Sequence, residues 1–132
     1  ERSSGGNPEP LLYAPRTYLY EPNAAIMKSG LFVALGIDLN LEKLHPNSHL
    51  YTSDQLIDFP GRRFRILRVL PYNIKKIRRV LDFEKAHVAT RNFPDTVKAI
   101  RKKLKLSDGG ENYLFFTTSH SGELIVIIGR KI

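Results

Sequence analysis

Between residues 61 and 132 the apolar positions follow two periods. Ile74, Ile77 and Leu81 recur at helical spacing, and the same rhythm returns at Val97, Ile100 and Leu104. The intervening runs read as strands over Phe64–Leu70, Glu84–Arg91, Tyr113–Thr118 and Leu124–Ile128, the last two joined by the hairpin "SHSG". Helices are predicted over Tyr72–Asp82 and within "PDTVKAIRKKLKL", where Pro94 falls in the first turn. The order is β-α-β-α-β-β. Lys85, His87, Ala89 and Arg91 alternate with Glu84, Ala86, Val88 and Thr90, as a half-exposed strand requires. In contrast, "YLFF" and "LIVIIG" are apolar on both faces, so the sheet needs a cover on each side.

The first sixty residues are patterned differently. Residues 1–16 open with "ERSSGGNPEP", polar and rich in Gly and Pro, and read as a linker. Residues 17–58 form a small α/β segment. It has an extended stretch at "TYLY" and a helix over 24–35 with Asn23 as N-cap and Gly36 as its stop, then a Pro46–Asn47 turn and an extended run at His49–Thr52. Ile26, Met27, Leu31, Phe32 and Val33 cover more than one face of that helix. The segment is too small to hold its own core, so it should dock on residues 59–132 as the second cover of the sheet. "FPGR" (59–62) is a turn at which Gly61 can take positive φ. Right-handed crossovers would pack each apolar stripe onto a shared sheet and turn the remaining helix positions outward. The pattern alone does not fix whether both helices lie on one side. The fold class is α+β: a mixed β-α-β-α-β-β sheet with two amphipathic helices and a smaller N-terminal segment docked on it.

Charge sharpens this picture. Of 132 residues, 21 are Lys or Arg and 13 Asp or Glu, a net of +8. Residues 1–60 carry only Arg2, Arg16, Lys28 and Lys43 against seven acids, a net of −3, so residues 61–132 hold seventeen cations against six acids, a net of +11. The outward positions of both predicted helices are basic: Lys75, Lys76, Arg78 and Arg79 on the first, and Lys98, Arg101, Lys102 and Lys105 on the second, with Lys103 at its flank. Lys75 and Arg79 repel at i, i+4 where Glu–Lys would attract, by about 0.2–0.5 kcal/mol. Charge segregated in this way points to a polyanion. The absence of cysteine excludes disulfides and thiolate metal sites, and makes a reducing cytoplasm the expected compartment. No apolar run approaches a membrane span. The first residue is Glu1 and the only methionine is Met27, which suggests a piece of a longer protein.

Catalytic chemistry finds little support in the motifs. His45 and His49 in "HPNSH" are four apart, but Pro46 and Asn47 imply a turn there, not a shared helical face, so no metal is expected. No phosphate-binding glycine motif or nucleophile elbow occurs, and "SDGGE" (107–111) reads as a helix-to-strand connection. "LPYN" (70–73) is superficially similar to an amino-methyltransferase tetrapeptide, but lacks its leading Asn or Asp and its second Pro. Phosphate contacts are available from Arg62, Arg63, Arg65, Arg68, the two helices, Arg91, Arg130 and Lys131. Tyr72, Phe93, Tyr113 and Phe116 are candidates for stacking on bases, but their Leu and Ile neighbours favour a core role. Binding to a backbone or a folded shape is therefore better supported than base reading.

Three strings, "YLYEPNAAIMKSG", "KLHPNSHLYTSD" and "FPGRRFRILRVLPYNIKKIRR", together resemble the C-terminal region of a bacterial family of class I S-adenosylmethionine-dependent methyltransferases. In that family a ferredoxin-like segment and a THUMP-like domain follow the catalytic domain, and the resemblance runs from about Tyr18 to the C-terminus. The strand order also looks like the C-terminal domain of bacterial initiation factor three. The resemblance implies a linker over 1–16, a ferredoxin-like segment over 17–58 and a THUMP-like domain over 59–132. This stretch would be non-catalytic, with S-adenosylmethionine held by an upstream domain. It would present structured RNA (tRNA or rRNA) through Arg62, Arg63, Arg65, Arg68, Lys75, Lys76, Arg78, Arg79, Lys98, Arg101, Lys102 and Lys105. Two alternatives stand beside it: a protein-docking domain whose basic face binds an acidic partner or its own methyltransferase domain, and a non-specific DNA binder.

Overall fold

The computed structural model describes residues 15–23, 41–45 and 48–132. The helix expected at 24–35, the Pro46–Asn47 turn and most of the 1–16 linker lie outside them. Seven strands form one mixed sheet: β1 (Tyr18–Pro22), β2 (Glu42–Lys43), β3 (Tyr51–Ser53), β4 (Gly61–Pro71), β5 (His87–Arg91), β6 (Asn112–Thr118) and β7 (Leu124–Lys131). Their order is β2-β3-β1-β4-β7-β6-β5, with β5 and β6 parallel and every other pair antiparallel. Two helices, α1 (Ile74–Val80) and α2 (Val97–Leu104), connect β4 to β5 and β5 to β6.

Both helices lie on one side of the sheet. Ile77 of α1 and Ile100 and Leu104 of α2 share a cluster with Leu114, Phe116, Val126 and Ile128, the positions of β6 and β7 that face that way. Phe115, Ile125 and Ile127 point to the other side and meet Leu19, Leu44, Leu50 and Phe64. The N-terminal segment is thus the second cover that the doubly apolar strands require, and β1 also extends the sheet through β4. A third cluster, Tyr20, Leu41 and Tyr51, packs against Ile57 and Phe59 beyond the helices.

The chain moves outward from β4 to β5 and back to β6. Two crossovers in opposite directions on one face have opposite hands, so the right-handed rule expected of both holds for only one.

Local chemistry moves several predicted boundaries. Asn73 is extended and its side chain accepts from the Lys76 N–H at 3.1 Å, so α1 starts at Ile74, not Tyr72. It ends where Leu81 turns extended. Thr96 caps α2 by accepting from the Ala99 N–H at 3.1 Å, which leaves Pro94 outside the helix and not in its first turn. Residues 84–86 bond Ser107, with the Ala86 N–H reaching its carbonyl at 3.0 Å, so the strand expected from Glu84 begins at His87. His49 takes φ 53°, which breaks the extended run until Tyr51. Gly61 does not use positive φ. It is required by close approach, since a Cβ there would lie 2.1 Å from the Glu21 carbonyl oxygen across the β1–β4 pair. "SDGGE" and "SHSG" are the expected connections, with Gly109, Gly110 and Gly122 all at positive φ.

The sheet is strongly curled. Three strands separate β1 from β5, about 19 Å in a flat sheet at ~4.8 Å per step. Even so, Glu21 on β1 ion-pairs with Arg91 on β5, and Asn92 Nδ2 lies 3.2 Å from His45 Nδ1. The concave side holds the N-terminal cover; the convex side carries α1 and α2.

Candidate nucleic-acid interface

The convex surface is built by amphipathic division of two helices. Burial of Ile77 fixes the rotation of α1, and that leaves Lys75, Lys76, Arg78 and Arg79 exposed. Burial of Ile100 and Leu104 does the same for Lys98 and Lys102 on α2 and for its C-cap Lys105. None of these seven cations has an ion pair among the described residues. Arg78 and Arg79 also occupy the last turn of α1, where the helix dipole favours them.

Sheet residues extend this surface. Arg65 alternates with inward-facing Phe64 and so points to the convex side, as does Arg68 through its pairing with Ile128. Arg130 lies directly across from Arg65. All three are exposed and have no ion pair among the described residues.

The remaining predicted contacts, Arg62, Arg63 and Arg101, are engaged within the protein. Arg62 faces the concave side, where its Nε and Nη2 both bond Glu21 Oε1 at 2.6 Å and its guanidinium lies 5.4 Å from the Phe64 ring centroid. Arg63 donates to the Ile57 carbonyl at 3.1 Å and faces Asp58. Arg101 donates to the Ala86 carbonyl and to Asp108 Oδ1, each at 3.1 Å, and ties α2 to the start of β5. The structure therefore brings together Arg65, Arg68, Lys75, Lys76, Arg78, Arg79, Lys98, Lys102 and Lys105, and turns Arg62, Arg63 and Arg101 to internal work.

Among the described residues, aromatic side chains offer no stacking platform on the convex side. Tyr72, Phe93 and Phe116 interlock edge to face or tilted at 4.8–5.8 Å beneath the helices. Tyr72 donates to Asp95 Oδ2 at 2.5 Å, and Lys103 donates to the same oxygen at 2.8 Å. Burial, with Asp95 adding to it, pushes the Tyr72 phenol up; the bond from Lys103 holds Asp95 below the usual carboxylate range. "LPYN" is accounted for structurally, as an aromatic anchor followed by a helix cap. Tyr113 stacks on His87 at 4.4 Å with the concave-side group.

What the sequence reading missed was Glu21. In "YEPN" it is a buried carboxylate held by both Arg62 and Arg91, and its only advance signal was an acid set inside an apolar strand. Among the described residues, no group of three or more His, Cys, Asp or Glu side chains could hold a metal, and no helix is long and apolar enough to cross a membrane.

Comparison with known proteins agrees with this architecture. Residues 18–60 match a ferredoxin-like domain family, and residues 61–131 match a family described as THUMP domain-like. The chain belongs to the THUMP-like family, with a ferredoxin-like domain before it. Its structure superposes on the crystal structure of a "putative methyltransferase" from Porphyromonas gingivalis W83, with a TM-score of 0.87 and 38% identity over 94% of this chain. The match spans 31% of that longer chain. A search of curated proteins gives no match. The resemblance to ferredoxin-like and THUMP-like domains is thereby established, and a methyltransferase-associated role fits both findings.

Proposed function

We propose that this chain is the substrate-recognition region of an S-adenosylmethionine-dependent methyltransferase. It binds the backbone of structured RNA, tRNA or rRNA, through its convex helical surface and presents that RNA to a catalytic domain preceding it. One observation carries the reading. Two neighbouring helices and the adjoining strands gather exposed cations on the convex side, with no acid paired to them among the described residues, while Arg62, Arg63, Arg91 and Arg101 are engaged by protein partners. Self-repulsion of this kind is relieved by phosphates. With the neighbouring aromatics internal, recognition depends on phosphate position and RNA shape, not on stacked bases. The S-adenosylmethionine site is assigned to the preceding domain. Here the strand-to-helix turn after β4 is Tyr72-Asn73, with no glycine to admit a nucleotide.

The test is binding to bulk tRNA and rRNA fragments from low to physiological salt, with duplex DNA of equal length as control. Neutralising about five phosphates predicts roughly a five-hundredfold loss of affinity between 50 and 200 mM salt. Binding that is flat with salt, or tighter on DNA, contradicts the reading.

A further inference from the structure

Arg65 and Arg68 are three residues apart, an interval that puts two side chains on opposite faces of a regular strand. They share the convex face because β4 carries one extra residue between them. Its register against β7 runs from Ile66 opposite Gly129 straight to Arg68 opposite Ile128, with Leu67 left over and 49% exposed. Arg130 stands directly opposite Arg65 and diagonal to Arg68, at spacings of about 5 Å and about 7–8 Å in such a ladder. Three guanidinium groups from two paired strands are thereby set within reach of one point.

Nothing on the protein accounts for this grouping. All three arginines are exposed, and none has an ion pair or side-chain hydrogen bond among the described residues. The row of Arg65 and Arg130 continues to Tyr18 on β1 and Asn112 on β6, both neutral. Like charges directly opposite each other on paired strands are destabilising, and no carboxylate in the row relieves them. The bulge also returns Leu70 to the helix side, where it packs on the core cluster, but that use places no demand on the residues at 65, 68 and 130.

Chemistry selects the ligand. Each guanidinium is a planar fork that can take two oxygens of one phosphate, a geometry that the lysines of α1 and α2 do not have. A phosphodiester within an RNA chain offers two free oxygens and one charge. A terminal phosphate offers three oxygens and a charge of about −1.5 to −2 at pH 7, which suits three forks. We propose that Arg65, Arg68 and Arg130 form a binding site for a terminal phosphate of the bound RNA. This rests on the reading that the convex surface binds RNA, and it adds a fixed point to a surface that otherwise attracts any phosphate.

The experiment measures the affinity of the full-length protein that carries this sequence for tRNA in three forms. One keeps its 5′-phosphate, one is dephosphorylated, and one is dephosphorylated and then given a 3′-phosphate. A phosphorylated form should bind at least fivefold tighter than the dephosphorylated one, and which form does so assigns the end. Arg130→Gln should abolish that preference without lowering the melting temperature, since a like-charged pair is relieved. Arg130→Lys keeps the charge and loses the fork, so it should keep the salt dependence and lose most of the preference. Lys75→Glu with Arg79→Glu should weaken all three forms alike and leave their ratios intact. Equal affinity for the three forms overturns the terminal-phosphate site and leaves the RNA reading standing. A preference that survives in Arg130→Gln places the site elsewhere and overturns it too. No affinity for any form refutes the RNA reading and this site together.

Discussion

Glu21 is 6% exposed and lies between Arg62 and Arg91, residues that belong to strands at opposite parts of the curled sheet. A buried carboxylate with two guanidinium partners holds that curl and fixes the concave side. Replacing it with Gln leaves two cations facing each other, so Glu21→Gln should cost about 2–3 kcal/mol. That is less than the 3–5 of fully buried pairs, because both arginines keep about a third or more of their side chains in water. Thermal melting should fall by roughly 6–15 °C. His49 acts at the same scale. Burial first, then Lys43 and Arg91, depress its pKa below that of an ordinary histidine. The unfolded chain therefore takes up a proton at a pH where the folded chain does not. The His49 contribution is fully present above pH ~6.5 and is lost as pH falls toward the folded value. His49→Asn, which tolerates the left-handed backbone at this position, should flatten the decline in stability between pH 7 and 5. Urea titrations at several pH values would check it.

At the scale of elements, α1 shows how a helix with poor local energetics persists. It has seven residues, no acid in its first turn and four exposed cations. Isolated, it would not form. The Asn73 cap and the burial of Ile77 hold it, so Asn73→Ala should cost about 1 kcal/mol and fray the first turn, raising amide exchange at Lys76 while α2 is unaffected. These helices were legible in the sequence because three apolar residues at helical spacing leave few alternatives. Their ends were less so. Whether Tyr72 or Ile74 begins α1 depends on one side-chain hydrogen bond, and residues 84–86 were drawn out of β5 by Ser107, a partner far away in sequence. Period alone reports which face a residue uses and is silent about its non-local partners.

For the molecule as a whole, segregated charge and doubly apolar strands anticipated a covered sheet with a basic exterior. They could not show that the two helices share a side, because that follows from strand order, and strand order is set by long-range pairing. They also could not separate solvent-facing from engaged cations. Arg62 and Lys75 look equivalent in the sequence, yet the curl of the sheet gives Arg62 a carboxylate and two rings, and gives Lys75 only solvent. The central claim is that location on the convex surface, not total charge, governs RNA binding. Lys131 lies across from Phe64 on β4 and so points to the concave side, and it is exposed. Lys75→Glu and Lys131→Glu each lower the net charge by two. The decisive measurement is tRNA affinity of these two variants at one salt concentration. The account predicts at least a tenfold loss for Lys75→Glu and less than a threefold loss for Lys131→Glu; equal losses would contradict it.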